Sequence, residues 1–283
     1  MPDYRPLWYW MREREAIRVK KEAGLPQPWS NDPILSSYRF CNVRREDDLV
    51  TKWIAEHIRK PYANNPNLWL MLCIARQINW PPTLQYLMNE GVWPTQYFDS
   101  EGISIVLNNW QAKGNKVYTG AYMISAPREK GVNKNDYIIG EVIGELWRNR
   151  LTFPYGRSLQ ATHSWLTEFK GWGPFMSYQA VVDMRFTSIL GSAPDIETWA
   201  AAGPGTIRGL NRVYGRALDW RLSQEQALTE MRDIYSKADR SDETGIAIDF
   251  SDVPNICCET DKYMRVWYKE GRPRALYVAG RGS

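Results

Sequence analysis

Between Phe169 and Asp183 the chain reads Phe-Lys-Gly-Trp-Gly-Pro-Phe-Met-Ser-Tyr-Gln-Ala-Val-Val-Asp, and no other stretch constrains the fold as much. Upstream, Leu159, Trp165, Leu166 and Phe169 recur at roughly helical spacing. Downstream, Phe175, Tyr178, Val181 and Val182 do the same, following a proline suited to a first helical turn. Gly171 and Gly173 therefore lie between two predicted helices. Glycine permits positive φ, and without a Cβ its N–H can come close to an anion. The second helix starts at the same place, so its dipole favours negative charge there. The stretch predicts a tight helix–turn–helix. It is either an ordinary interhelical turn or a phosphate grip formed by Lys170, Gly171 and Gly173.

Helical patterns dominate the remainder. Leu7–Ala23 is predicted as a helix ended by Gly24 and Pro26. Glu46–Arg59 is amphipathic, with Val50, Trp53, Ile54 and Ile58 on one face and Asp47 and Asp48 at the dipole-favoured start. Asn67–Gln77, Thr83–Asn89, Gly102–Gln111, Tyr137–Arg150 and Ser223–Lys237 follow, the last with Ser223 as its cap. Lys116–Ser125 is β-prone but isolated, so it reads as a loop or short hairpin leading into the polar loop Ala126–Asn135. Ala193–Trp199 reads as a short helix, Ala201–Asn211 as a second glycine-rich turn carrying Arg208, and the stretch from Asp249 as a polar, basic tail. A mainly α fold with long ordered loops and little β structure is expected. The chain should form a single unit over residues 1–283, or two interlocked lobes (about 1–115 and 116–260), with a basic tail at 261–283.

Composition narrows the function. The four cysteines, Cys41, Cys73, Cys257 and Cys258, form no C-x-x-C pair, and His57 and His163 are the two histidines. A zinc site or a Cys–His nucleophile needs a richer set of side chains, so no metal and no cofactor is expected. A net charge of +4 argues against a general polyanion binder, and any nucleic-acid surface must be local. The 14 tryptophans and 16 tyrosines suit a core of large rings, with a minority left for base stacking. No apolar run approaches the roughly 20 residues of a membrane span. The first residues lack the basic-then-apolar pattern of a signal peptide. The expectation is a soluble cytoplasmic protein without a membrane partner. Within Pro26–Arg45, the residues Arg39, Asn42, Arg44 and Arg45 place three cations and an amide within seven positions. This is either a phosphate-binding loop or a packed crossing segment with surface arginines.

A helix-hairpin-helix followed about twenty residues later by an aspartate resembles the endonuclease III-type DNA glycosylases. Lys170-Gly-Trp-Gly173 would be the hairpin, and Asp195 stands near the position of the aspartate acting on the flipped nucleotide. Ser177 and Tyr178 occupy the place of the usual lysine nucleophile, which disfavours a glycosylase–lyase. A longer resemblance runs through Arg14–Arg18, Pro28–Leu35, Tyr38–Asp48, Thr119–Met123, Gly171–Asp183, Gly203–Asn211 and Asp261–Val266. These segments are similar to a thymine-hypermodification family of phages and bacteria. That family comprises the α-glutamyl/putrescinyl-thymine pyrophosphorylases, or amino acid:DNA transferases, and the helical domain of 5-hydroxymethyluracil DNA kinases. No Gly-x-x-x-x-Gly-Lys-Ser/Thr loop occurs, so the chain is not expected to be the kinase itself.

The resemblance implies a helix-hairpin-helix, glycosylase-like helical fold and double-stranded DNA containing modified thymine as substrate. The (pyro)phosphate of phosphorylated 5-hydroxymethyluracil would be displaced by an amine donor, an amino acid or a polyamine. A separate 5-hydroxymethyluracil DNA kinase is an implied partner. On this reading Lys170, Gly171 and Gly173 hold a DNA phosphate, and Arg39, Arg44, Arg45 and Arg208 hold the substrate phosphate. Asp183 and Asp195 are the candidate catalytic carboxylates; their competing roles are an arginine partner and a helix cap. Asn42, Trp172, Gln179, Asn211, Lys262, Tyr263 and Arg265 are candidate substrate or base contacts. Cys41 reads as an inert thiol or as a nucleophile on the pyrimidine. A monofunctional glycosylase for a modified pyrimidine and a non-catalytic DNA-binding module remain as alternatives.

Overall fold

The computed structural model describes residues 1–120, 131–240, 245–271 and 276. The α-helices are α1 (Arg5–Glu22), α2 (Pro33–Ser37), α3 (Leu49–Ile54), α4 (Leu68–Ile78), α5 (Pro81–Asn89), α6 (Ser100–Ala112) and α7 (Lys134–Asp136). They continue as α8 (Gly144–Arg148), α9 (Leu159–Thr167), α10 (Pro174–Arg185), α11 (Pro204–Val213), α12 (Gln224–Arg240) and α13 (Val253–Trp267). No sheet occurs among the described residues; Tyr38 and Leu276 form an isolated antiparallel bridge. The fold is mainly α, and no described helix is long and apolar enough to cross a membrane.

Two compact units divide the chain, Met1–Leu49 with Glu197–Ser283, and Val50–Ile196. The position expected for a lobe boundary, near residue 115, falls inside the second unit. That unit is built around α4, whose eleven residues are all buried. A helix apolar all round must lie in a core, and α10, α5 and the segment Tyr137–Ile143 pack on it. The predicted Tyr137–Arg150 helix forms with a π-helical stretch, Tyr137–Ile143, between α7 and α8. Trp69, Phe153 and Trp165 stack edge-on and face-on within this core.

The first unit is organised by α13, against which α1, α2, α11 and α12 pack. Glycines set the closest approach. A Cβ on Gly209 would collide with the Cys257 carbonyl, and one on Gly205 with the Cys258 thiol. Leu7, Trp10, Met11, Leu210, Met231, Ile234, Phe250 and Ile256 fill the core.

Three local expectations are corrected. Ala193–Trp199 is turn rather than helix, because Asp195 turns its carboxylate to another helix instead of starting one. The second glycine-rich segment is the start of α11, with Gly203 as its N-cap residue, so Gly205 and Gly209 serve helix packing. The polar stretch from Asp249 does not begin as a tail but as a 3-10 turn at Phe250–Asp252 running into α13. The β-prone stretch shows no strand over Lys116–Gly120, and Ala121–Ser125 lies outside the described residues, as do most of the positions after Gly271.

Candidate functional site

In the second unit, α9 and α10 pack on each other and are joined by the turn Glu168–Gly173. Gly171 adopts φ +82°, and an added Cβ would lie 2.8 Å from the Val142 methyls. Both facts select glycine. Gly173 has an ordinary φ of −65° and opens α10 as its N-cap residue, with Pro174 next. The Phe169 and Trp172 amides are bonded within the turn, to the Leu166 and Phe169 carbonyls. Among the described residues the Gly171 and Gly173 amides have no such partner. Lys170 is exposed, with its ammonium 5.4 Å from the Tyr137 ring centre. Two available amides, a helix N-terminus and a lysine thus sit within four residues. Phe175 adds a ring that is 57% exposed. Trp172, by contrast, is wholly buried and donates its indole N–H to the Val142 carbonyl at 3.4 Å.

Asp183, on α10, is 0% exposed. Both of its oxygens accept from Arg76, at 2.5 and 2.8 Å, a bidentate pair in the interior. Arg76, on α4, also donates to Asn79 Oδ1 at 3.2 Å and to Thr51 Oγ1 at 2.9 Å. The cluster ties α10 and α4 together. Asp195 is half-buried and accepts from the Leu159 and Gln160 amides at 2.8 and 3.0 Å. It therefore caps α9, jointly with Ser158, whose hydroxyl accepts from Ala161 N–H at 3.0 Å. Gln179 is buried on α10.

In the first unit the loop cations separate by environment. Arg44 pairs with Glu15 at 2.9 Å and with Asp47 at 2.7 Å. Arg45 is buried, and its amide donates to Asp252 Oδ1 at 2.8 Å. Asn42 donates its side-chain N–H to the Asp47 carbonyl at 2.7 Å. Arg39 forms no ion pair among the described residues and lines a pocket with Arg14 and Lys21. Burial, then Glu259 and Asp48, push the Cys41 thiol up, which favours the protonated, unreactive form.

A second cationic group spans α11 and α13. Asp261, buried on α13, receives Arg208 at 3.2 Å, Arg212 at 2.7 Å and Arg265 at 3.3 Å. Arg212 also reaches Glu270 at 2.5 Å. Three guanidiniums thus share two carboxylates, and Arg208 and Arg265 are about a third exposed, which leaves net positive charge at the surface. Lys262 pairs with Glu259 at 2.9 Å and lies over the Phe40 ring. Tyr263 is buried, donates to Asp32 at 2.7 Å and is pushed up by burial and that carboxylate. Asn211 is buried too, donating to the Trp220 carbonyl at 2.9 Å and accepting from Arg216 at 2.9 Å. Arg76, Arg212, Asp261, Arg14 and Lys21 were not singled out in the sequence. Only the i, i+7 spacing of Arg14 and Lys21 on one helical face would have pointed to any of them.

The geometry defines a mainly helical protein with a helix–turn–helix that leaves two glycine amides available in one unit and cationic surface groups in the other. Residues 2–272 match the family model described as the helical domain of 5-hmdU DNA kinase, and the chain belongs to that family. A 5-hmdU DNA kinase of Bacillus phage SP10 is 25% identical over 225 residues, covering 71% of this chain and 34% of the relative. The chain thus spans about a third of that kinase's length. No solved structure matches.

Proposed function

We propose that the protein is a DNA base-modification enzyme that replaces the phosphate or pyrophosphate of phosphorylated 5-hydroxymethyluracil in DNA with an amine. The observation that carries this reading is family membership over nearly the whole chain, in a family named for a 5-hmdU DNA kinase. The available amides of Gly171 and Gly173 and the Lys170 ammonium support a grip on a duplex phosphate. Phe175 stands where an exposed ring can meet a groove or an unstacked step. Within the first unit, Arg208 and Arg265 are surface cations of the kind that stabilise a leaving phosphate.

In the reaction the amine nitrogen, as the free base, attacks the methylene on C5 of the pyrimidine. The new C–N bond forms as the C–O bond to the (pyro)phosphate breaks, and the electron pair leaves on that oxygen. The ammonium proton goes to a carboxylate. Asp195 suits this role better than Asp183, because it is half-buried and a carboxylate has about four lone-pair sites, of which two are taken. Asp183, with Arg76 on both oxygens, holds α10 in place. A flipped base would give access to the C5 edge.

A second reading has its own support. The chain corresponds to about a third of a kinase, so it can also act as a non-catalytic DNA-holding module beside a separate kinase. The test is nucleoside mass spectrometry after incubation with phosphorylated 5-hydroxymethyluracil duplex and a mixture of amino acids and polyamines. An amine–thymidine adduct supports transfer, and abasic sites support excision. Duplex binding without either product supports the module and removes the enzyme reading.

A further inference from the structure

The first unit holds a pocket that the base-modification reading does not use as a whole. Its residues come from the second half of α1 (Arg14, Ile17, Lys21), the segment Gln27–Ser30, and the end of α2 through Phe40. The space is about 100 Å³, several times the ~10–15 Å³ that one water needs. Ile17 and Leu35 give it an apolar wall, and Trp29, Tyr38 and Phe40 line it with rings. The Trp29 indole is fixed by donating to the Leu25 carbonyl at 2.7 Å.

The charge on this pocket is of one sign. Arg14, Lys21 and Arg39 line it, and no aspartate or glutamate does. Of the carboxylates on α1, Glu13 accepts from Ser30 Oγ at 2.9 Å, Glu15 takes Arg18 and Arg44, and Glu22 takes Arg18. Arg14 donates its Nε to Cys41 O at 3.0 Å, and Asp48, Glu259 and Glu15 act on it through space rather than by a direct ion pair. Its Nη1 is enclosed with no hydrogen-bond partner. The Lys21 ammonium is pushed down by partial burial and then by the charges of Arg14 and Arg39, which outweigh the opposing charge of Glu22. Such a group is relieved by an anion of more than one negative charge. A phosphomonoester, with about −1.5 to −2 charge at neutral pH, fits better than a carboxylate. A polyamine donor, being cationic, is excluded by the same field.

We propose that the pocket framed by Arg14, Lys21, Arg39 and Trp29 binds a phosphoanion, a phosphomonoester or pyrophosphate group, with a ring or apolar group of the same ligand against Trp29. This inference stands apart from the transfer reaction. The phosphoanion can belong to a free small molecule or to the phosphorylated base on DNA, and the assay separates these.

Isothermal titration calorimetry of the full chain is run with inorganic pyrophosphate, thymidine monophosphate, glutamate and a phosphorylated 5-hydroxymethyluracil duplex. Arg39→Ala, at an exposed position, and Lys21→Met are the variants, with circular dichroism and melting confirming an intact fold. Pyrophosphate or thymidine monophosphate should bind, and each variant should weaken binding about tenfold or more, the usual worth of a charge-assisted contact. If only the phosphorylated duplex shows variant-sensitive binding, the phosphoanion is the one on DNA. Glutamate binding as tightly as pyrophosphate overturns the assignment. So does the absence of phosphoanion binding, or equal binding by both variants. Failure of the transfer assay would leave these titrations unaffected.

Discussion

At Asp183 a single substitution separates a structural from a catalytic role. The carboxylate and Arg76 are both within 2% of full burial and meet at 2.5 Å. Removing one partner of such a pair typically costs about 3–5 kcal/mol, because the other is left charged and unpaired. Asp183→Ala should therefore lower the denaturant midpoint strongly, whereas Arg76→Met with Asp183→Leu should recover most of the loss. Unchanged stability of Asp183→Asn together with lost transfer would instead place this residue in the reaction. Asp252 offers a test by pH. It is buried, accepts from the Arg45 and Asp249 amides at 2.8 Å each, and burial raises its pKa from 3.8 to about 7. Between about 4 and 7 the folded protein holds a proton that the unfolded chain has lost, so stability falls as pH rises through this window. It is fully present below the unfolded value and lost above the folded one. Thermal melts of Asp252→Asn should show a flatter pH slope over that range, whatever its absolute Tm. A steeper slope would contradict the assignment.

The hairpin between α9 and α10 carries the prediction at the scale of elements. Lys170→Ala should leave the melting temperature unchanged and weaken duplex binding about equally across sequences. The slope of log affinity against log salt should fall by about 1, as for one lost phosphate contact. Gly171→Ala should act differently, through strain at φ +82° and the Val142 methyls, and reduce stability directly. If Lys170→Ala leaves the salt slope intact, the hairpin is an interhelical turn. This element was legible because its signals are local: a helical period on each side, glycines between, and a proline at the second start. So were α1, α4 and α12, where period and punctuation coincide. The helix α13 was not, although it organises the first unit. Its buried residues include Glu259, Thr260 and Asp261, polar groups satisfied or charged by partners far away in sequence. An apolar-period reading cannot see a face that carries buried carboxylates. The same physics governs the site residues. A lone exposed-looking aspartate such as Asp183 or Asp195 gives no sign of whether it meets an arginine or a helix end. The cations of residues 39–45 look alike in sequence, yet Glu15 and Asp47 pair with Arg44, Arg45 is buried with its amide on Asp252, and Arg39 is exposed.

For the whole molecule, the division into units follows chain ends rather than chain order. Residues 1–49 share a unit with residues 197–283, while the intervening residues form the other. Trp8, Trp10 and Met11 of α1 are buried within a unit whose other core helices, α11, α12 and α13, come from the last third of the chain. The Asp3 amide donates to the Val213 carbonyl at 2.7 Å, and Cys41 N–H to Glu259 at 3.0 Å, so both ends of the N-terminal segment are bonded to it. The core of Val50–Ile196 is supplied by its own helices, with α4 buried against α5 and α10. Cutting the chain after Phe250 would therefore remove from α1 the helix it packs on, while leaving the α4 core its full set of partners. Hydrogen exchange on that truncated chain should show the α1 amides exchanging at near-unfolded rates while α4 retains protection. Loss of protection in both would mean that the units fold as one cooperative body. The distinction bears on function, because the hairpin lies in one unit and the pocket of Arg14, Lys21 and Arg39 in the other. With independent units, the truncated chain should keep the salt-dependent duplex binding that Lys170 supports and lose every titration signal for pyrophosphate.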